Sequence, residues 1–247
     1  MKFQSGNALF LVLLAIGLFA ALTYAVTQTG RGARNIDPEK AALAAASLMQ
    51  FASDIEAGFA RTKLTGKYDW SEINYGGTNS DCTSTKCELF NTGRGVAPQL
   101  SDVPKEAVGH TNSETARIRF VDVEGVGTDD PDLGILIAGL SYNVCKAVND
   151  AVGITSTNSS GLPAYYNSSG GTGPHDIHAA SYSSSSLRSV RAASNADGYL
   201  IEHVGQTGYS AEVAGHKTFC VCVSTSITSC DSADPWNTRF WHIIQVR

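Results

Sequence analysis

Six cysteines are the residues whose types and spacing most directly suggest chemistry, because cysteine forms disulfides, binds metals and acts as a nucleophile. Cys82 and Cys87 enclose four residues, Cys220 and Cys222 are two apart on a predicted strand, and Cys230 follows after a loop of seven residues. A zinc site would favour two Cys-x-x-Cys pairs, and the sequence has none. Strand residues two apart point the same way with Cα atoms near the limit of disulfide reach, so Cys220 and Cys222 each need another partner.

The cysteine pattern therefore predicts disulfides rather than a metal site. Six cysteines allow many connectivities, and the pairs that we expect are Cys82 with Cys87, Cys145 with Cys220, and Cys222 with Cys230. Disulfides persist in oxidising compartments, which predicts a periplasmic or extracellular location. The alternative is a cytosolic domain with reduced thiols, although Cys-Val-Cys lacks the Cys-x-x-Cys spacing of a redox pair.

Two other groups of residues carry side chains that bind metals. His175, Asp176 and His178 lie together, but in a Gly/Ser-rich stretch without a second ligand cluster, so we predict no metal there. The Asp-Asp-Pro-Asp run at 129–132 offers carboxylates, but the glycine and glutamate of an EF-hand loop are not in register. Its turn-forming residues favour a solvated turn.

Motifs of the common catalytic sites are missing from the sequence. There is no Gly-x-Ser-x-Gly turn around a nucleophile and no phosphate-binding loop. Members of a catalytic triad can lie far apart in sequence, so local motifs do not decide that case. Nothing in the sequence points to a triad, and we expect no enzymatic activity, no catalytic residues and no cofactor.

Charge and composition restrict the possible partners. The 247 residues include 18 Lys and Arg against 23 Asp and Glu, a net charge of −5, and 43% are hydrophobic. This content supports a packed core, and the chain has no basic surplus with which to grip a phosphate backbone. We therefore expect a folded protein that does not bind nucleic acid.

The amino-terminal region has the composition of a membrane or export segment. No Asp, Glu, Lys or Arg occurs from Phe3 to Gly30, and Ala8 to Leu22 is apolar apart from one glycine. As a helix, Ala8 to Gln28 is just long enough to cross a hydrocarbon core of about 30 Å. The fifteen-residue apolar stretch also fits a cleavable secretory signal, with Thr23-Tyr24-Ala25 as the cleavage site. A plain membrane anchor is a third interpretation.

The start of the chain resembles the class III signal of type IV pilins and of type II secretion pseudopilins. The matching features are the basic Lys2 in a short leader, Gly6 at its end, and the apolar segment from Asn7 to Gln28. The resemblance implies that a prepilin peptidase cuts between Gly6 and Asn7. It further implies that the retained helix anchors the subunit and packs with other pilin-like subunits on an inner-membrane assembly platform. The expected location is the inner membrane with a periplasmic domain, or an extracellular filament.

Leu11 departs from the pattern of that family. The fifth mature residue of most pilins is a glutamate that pairs with a neighbour's terminal amine in the apolar filament core, where an unpaired charge is costly. Here that position, five residues after Gly6, is Leu11. The resemblance therefore implies a minor or tip subunit rather than a major pilin. The alternative function is a membrane-anchored or secreted periplasmic binding domain.

An amphipathic helix is expected next, with Asp37 as N-cap and Pro38 at its first position, reaching about Lys63. Its predicted apolar stripe follows a spacing of three and four residues: Ala41, Ala44, Leu48, Phe51, Ala52, Ile55 and Phe59. Such a stripe should pack on a sheet. In pilins the second half of the long first helix lies in this way across an antiparallel sheet.

The rest of the chain reads as a β-rich domain. Strands are predicted at Ala116 to Val123, Thr218 to Ser224 and Arg239 to Val246, and the first of them should have one face buried. Ser141 is expected to cap a helix that continues through about Val152. Residues 155–198 are predicted to be mostly exposed Ser/Gly-rich loop. The expected fold class is α+β: a long hydrophobic and then amphipathic helix on an antiparallel β-rich head. The expected organisation is a leader at 1–6, a hydrophobic helix at 7–30, a linker and stem helix at 31–63, and a head domain at 64–247.

Overall fold

A computed structural model of the chain describes residues 38–91, 97–109, 116–128, 132–156, 161–166, 181–182, 202–204, 211–224 and 238–245. Within these ranges the α-helices are α1 (Pro38–Gly66) and α2 (Tyr142–Val152). The strands are β1 (Thr78–Asn79), β2 (Ala116–Val123), β3 (Asp132–Ala138), β4 (Ala164–Tyr166), β5 (Ser181–Tyr182), β6 (Glu202–Val204), β7 (Thr218–Ser224) and β8 (Thr238–Gln245). Helices and a largely antiparallel sheet make this an α+β fold, as predicted.

The main sheet has six strands in the order β4-β7-β8-β3-β2-β6. Its four central strands are antiparallel to one another, whereas the short edge strands β4 and β6 pair in parallel with β7 and β2. Strands β1 and β5 form a separate parallel pair. The long antiparallel strands are therefore central, and their ends position the side chains described below.

Helix α1 confirms the amphipathic helix expected from the sequence. It begins at Pro38, whose fixed φ suits the first helical position, and its predicted cap Asp37 lies outside the described residues. Every member of the predicted apolar stripe is buried, and Gln50, Ser53 and Asp54 on the opposite face are exposed. The helix contacts α2 and β8 through its buried side. The 3.6-residue period of the apolar positions thus sets which side of α1 faces the sheet.

Helix α2 also matches the sequence expectation at both ends. The Ser141 hydroxyl accepts a hydrogen bond from the Val144 amide, which satisfies one of the free donors of the first turn. Gly153 ends the helix with a left-handed φ of 79°, a conformation that costs glycine no side-chain clash. Cys145 and Val148 are buried on its inner side, as predicted.

Both faces of the central strands are buried, which the sequence did not predict. Ile118, Ile135 and Phe240 lie on the face toward the helices. On the other face an apolar cluster surrounds the fully buried Trp241 and includes residues from outside the sheet: Val121, Val123, Val126, Leu136, Ile154, Val213, Phe219, Val221, Trp241 and Ile243.

Two polar residues correct the sequence predictions. Arg119, expected on a solvent face of β2, is only 6% exposed because that face is covered as well. Asp132, expected in a solvated turn, begins β3 and is 1% exposed. Pairing with Val121 of β2 therefore takes Asp132 out of the turn that its neighbours suggested.

Several sequence predictions concern other parts of the chain. The amino-terminal segments 1–6 and 7–30, and most of the predicted loop 155–198, lie outside the described residues. In the part of the chain that the structure describes, neither helix combines the length and the apolar character that a membrane crossing requires.

Candidate functional site

Two of the three predicted disulfides are present. Cys82 is bonded to Cys87, with Cα atoms 5.7 Å apart, and Cys145 is bonded to Cys220, with Cα atoms 5.3 Å apart. Cys222 is disulfide-bonded as well. Its predicted partner Cys230 lies outside the described residues. No described cysteine is free, so none of them offers a thiolate for metal binding or nucleophilic attack.

Asn149 reinforces the link between α2 and β7. Its side-chain amide donates to the Cys220 carbonyl and accepts from the Cys220 amide, both at 2.8 Å. Asn149 lies one helical turn after Cys145, so the disulfide and the amide hold the same strand residue. Both Asn149 and Cys220 are buried, and the Asn149 amide supplies the hydrogen bonds that water cannot.

A polar cluster joins α1 to the sheet at the start of β7. We call it the His242 cluster; its members are Glu56, Lys217, Thr218 and His242. His242 Nε2 lies 3.0 Å from Glu56 Oε2, and Thr218 Oγ1 lies 2.7 Å from His242 Nδ1. Lys217 Nζ lies 3.0 Å from Glu56 Oε1. A continuous chain of hydrogen bonds therefore runs from a hydroxyl through an imidazole and a carboxylate to an ammonium group.

The elements of the fold position each member of this cluster. Thr218 and His242 are directly paired residues of the antiparallel strands β7 and β8, so their side chains project side by side on one sheet face. Glu56 follows the buried Ile55 in α1 and is 33% exposed, at the edge of the apolar stripe. Two turns further along α1, Lys63 Nζ donates to Gln245 Oε1 at 3.2 Å.

The surroundings of His242 determine how its hydrogen bonds run. Burial lowers the pKa of His242 below its ordinary value, an effect that Glu56 opposes and Lys217 reinforces. The imidazole is therefore neutral at pH 7. Because a carboxylate only accepts, Nε2 carries the proton and donates to Glu56, which leaves Nδ1 to accept from the Thr218 hydroxyl.

The hydroxyl, imidazole and carboxylate are the functional groups of a hydrolytic triad, but their placement suits a structural role. The Glu56 carboxylate is shared with Lys217, and the chain of bonds connects a helix to two strands. What this arrangement does chemically is fix the position of α1 on the sheet with a set of charge-assisted hydrogen bonds.

An open groove lies on another side of α1. It has a volume of about 500 Å³ and runs between the helix and the segment around Pro98. Its lining combines small, polar and acidic side chains with one phenyl ring: Ala46, Ser47, Gln50, Phe51, Asp54, Pro98 and Asp102. The groove offers carboxylates and an amide to a bound group.

Several other sequence-predicted site residues lie outside the described part of the chain. These are the leader and filament-core positions Gly6, Asn7 and Leu11, and the histidine pair in the Gly/Ser-rich stretch, His175 and His178. Within the described ranges, no three His, Cys, Asp or Glu side chains are placed to hold a metal ion.

Sequence reasoning did not identify the His242 cluster. Glu56 is separated from His242 by 186 positions and from Lys217 by 161. The useful signal was present, since a threonine and a histidine occupy inward positions of two predicted strands. Thr218 and His242 meet because of the register in which β7 pairs with β8, and local sequence patterns do not reveal that register.

In comparisons with known proteins, no protein-family model, curated protein or solved structure matches the chain.

Proposed function

We propose that the protein is a structural, pilin-like subunit, of the minor or tip kind, in an envelope filament or secretion apparatus. In this proposal residues 7–30 anchor the subunit and pack with the equivalent helices of neighbouring subunits. The domain beginning at Pro38 then lies on the periplasmic or outer side. The subunit performs no catalysis and holds no cofactor; it works by assembling with other pilin-like subunits and an inner-membrane platform.

The observation that carries the proposal is the placement of α1. This helix follows the apolar segment 7–30 in the sequence and lies with its buried stripe against α2 and the antiparallel strand β8. A stem helix on an antiparallel sheet, preceded by a short leader ending in Gly6, is the order of elements expected for such a subunit. The His242 cluster adds polar contacts that hold the stem to the sheet.

The disulfides support the export part of the proposal. Cys82–Cys87 and Cys145–Cys220 are formed, and the second joins residues 75 positions apart. Such bonds persist in oxidising compartments and are rare in a reducing cytosol. A domain that depends on them is therefore suited to the periplasm or the cell surface.

The deciding experiment is the intact mass and amino-terminal sequence of the mature protein, isolated from both the membrane and the soluble fraction of its native host. A start at Asn7, one methyl group heavier than the unmodified chain, is the expected result. A start at Val26 in a soluble fraction, or an intact Met1, would contradict the proposal. A Gly6→Ala variant serves as the control: it should block cleavage by a prepilin peptidase while leaving the apolar segment unchanged.

Leu11 provides a second test of the same proposal. Introducing Leu11→Glu places a carboxylate where a major pilin carries one, so we expect the variant to change assembly or the order of partners. Cross-linking of subunits in membranes, followed by mass spectrometry, measures this. Unchanged membrane residence together with unchanged cross-linked partners would count against a filament role. Leu11→Ile, which stays apolar, is the matched control.

The groove beside α1 favours a second candidate function, a secreted or anchored binding domain. A ligand would lie between Gln50 and Asp54 on the helix and Asp102 on the facing segment. Replacing residues 7–28 by another export signal separates the two functions. A binding domain keeps its activity after this exchange, whereas a filament subunit loses assembly.

A further inference from the structure

We propose that the His242 cluster is a pH-sensitive lock, which holds the carboxy-terminal half of α1 on the sheet and weakens as the surroundings become acidic. The proposal concerns regulation of the fold and does not depend on the filament function. It rests on the geometry of the cluster, on its location between two packed elements, and on the charges around one histidine.

The location of the cluster makes it suitable as a lock. Three hydrogen bonds, two accepted by Glu56 and one donated by Lys63, join α1 to the sheet region within the last three turns of the helix. Buried apolar side chains hold both halves of the helix, from Leu48 in the earlier half to Phe59 in the later one. Apolar contacts change little with pH, so acidification acts on the half of α1 that carries the polar links.

The groups facing the imidazole determine how it responds. From α1 comes the Glu56 carboxylate, and from the residue before β7 comes the Lys217 ammonium group. Strand β7 presents the uncharged Thr218 hydroxyl, and β3 presents Ile135 opposite His242. Once His242 takes up a proton, Glu56 attracts the new charge, but Lys217 repels it and the buried, apolar surroundings offer it no solvation.

The sign of the effect follows from linkage. Burial lowers the pKa of His242 below 6.5 in the folded protein, whereas the unfolded chain binds the proton with the ordinary value. The stabilising contribution is thus complete above pH 6.5 and is lost as pH falls through the folded pKa. As the pH falls from 6.5 to the folded pKa, the equilibrium constant for unfolding or local opening rises by up to about tenfold for each pH unit. That slope is the limit for uptake of one proton.

The test uses the full chain in a mild non-ionic detergent. Hydrogen exchange, corrected for the intrinsic rate, compares amides of residues 56–66 with those of β3 from pH 7.5 to 5. We expect the ratio of opening in the helix to opening in β3 to rise as the pH falls. In His242→Gln, which keeps an uncharged hydrogen-bonding side chain, the rise should vanish. His216→Gln, which changes a second histidine two residues before Thr218, should retain it.

Two results would overturn the lock. One is an unchanged pH dependence in His242→Gln, which would assign the effect to other groups. The other is a titration of His242 at or above pH 6.5 in the wild-type chain, measured by NMR with carbon-labelled histidine. The second measurement needs no variant, so it decides the proposal even where His242→Gln fails to fold.

Discussion

Asn149→Ala tests how much of the stability depends on the amide that joins α2 to β7. The substitution removes both hydrogen bonds to Cys220, a residue with no solvent exposure. One buried N–H and one buried C=O then lose their partners at about 1–3 kcal/mol each, so we expect a loss of about 2–6 kcal/mol in the free energy of unfolding. The Cys145–Cys220 bond keeps α2 tethered, so the loss reports on the hydrogen bonds rather than on separation of the elements.

The assay is urea unfolding of the oxidised full chain in mild detergent, followed by tryptophan fluorescence, to which the buried Trp241 contributes. Lys146→Ala is the matched control in the same helix, because it removes only an exposed pair with Asp150 and should cost less than about 0.5 kcal/mol. A loss below about 1 kcal/mol for Asn149→Ala would refute the reasoning, since it would mean that water satisfies the Cys220 backbone.

Asn149→Asp separates the donor from the acceptor. An ionised carboxylate accepts from the Cys220 amide but gives nothing to the Cys220 carbonyl, whereas a protonated carboxyl group can do both. Burial raises the pKa of the introduced carboxyl, so the stability of this variant relative to wild type should recover as pH falls through that folded pKa. A deficit independent of pH would contradict the reciprocal pairing.

The remaining predictions concern the cross-links and one close backbone contact. The double variant Cys145→Ala with Cys220→Ala removes a bond between residues 75 positions apart and should lower the free energy of unfolding by about 4 kcal/mol. The double variant Cys82→Ala with Cys87→Ala removes a bond between residues 5 positions apart and should lower it by about 2 kcal/mol. Urea titrations measure both losses, and equal losses would contradict the account in which a disulfide acts by restricting the unfolded chain. Gly134→Ala places a Cβ 3.2 Å from Val121 Cγ1 and 3.3 Å from the His242 carbonyl oxygen. This crowding should lower the free energy of unfolding by about 1–3 kcal/mol, as measured by thermal unfolding. An unchanged midpoint would mean that β3 and β8 move apart freely.

Local signals in the sequence were sufficient for the helices and the main strands. Pro38 and the three-and-four spacing of apolar residues predicted α1, and Ser141 predicted the start of α2. These features depend on neighbours within a few positions, which is why sequence reasoning found them. The pairing of Cys145 with Cys220 was also expected from the sequence, and the bond is present.

Other features needed information that local patterns do not contain. Alternation along β2 predicted one solvent face, yet Arg119 is buried because residues from distant segments cover that side. Asp132 belongs to a strand rather than a turn because it pairs with Val121 of β2. In both cases tertiary packing overrode a local preference of modest size.

The sequence by itself determined the amphipathic stem, the caps, the strand segments and the cysteines available for cross-linking. Only the tertiary structure brought Glu56, Lys217, Thr218 and His242 together. Their meeting requires the register of β7 against β8 and the rotation of α1 on the sheet at the same time. Strand register and helix packing depend on the summed burial of many residues over the whole domain. The sequence around each residue indicates only a local preference for helix, strand or turn.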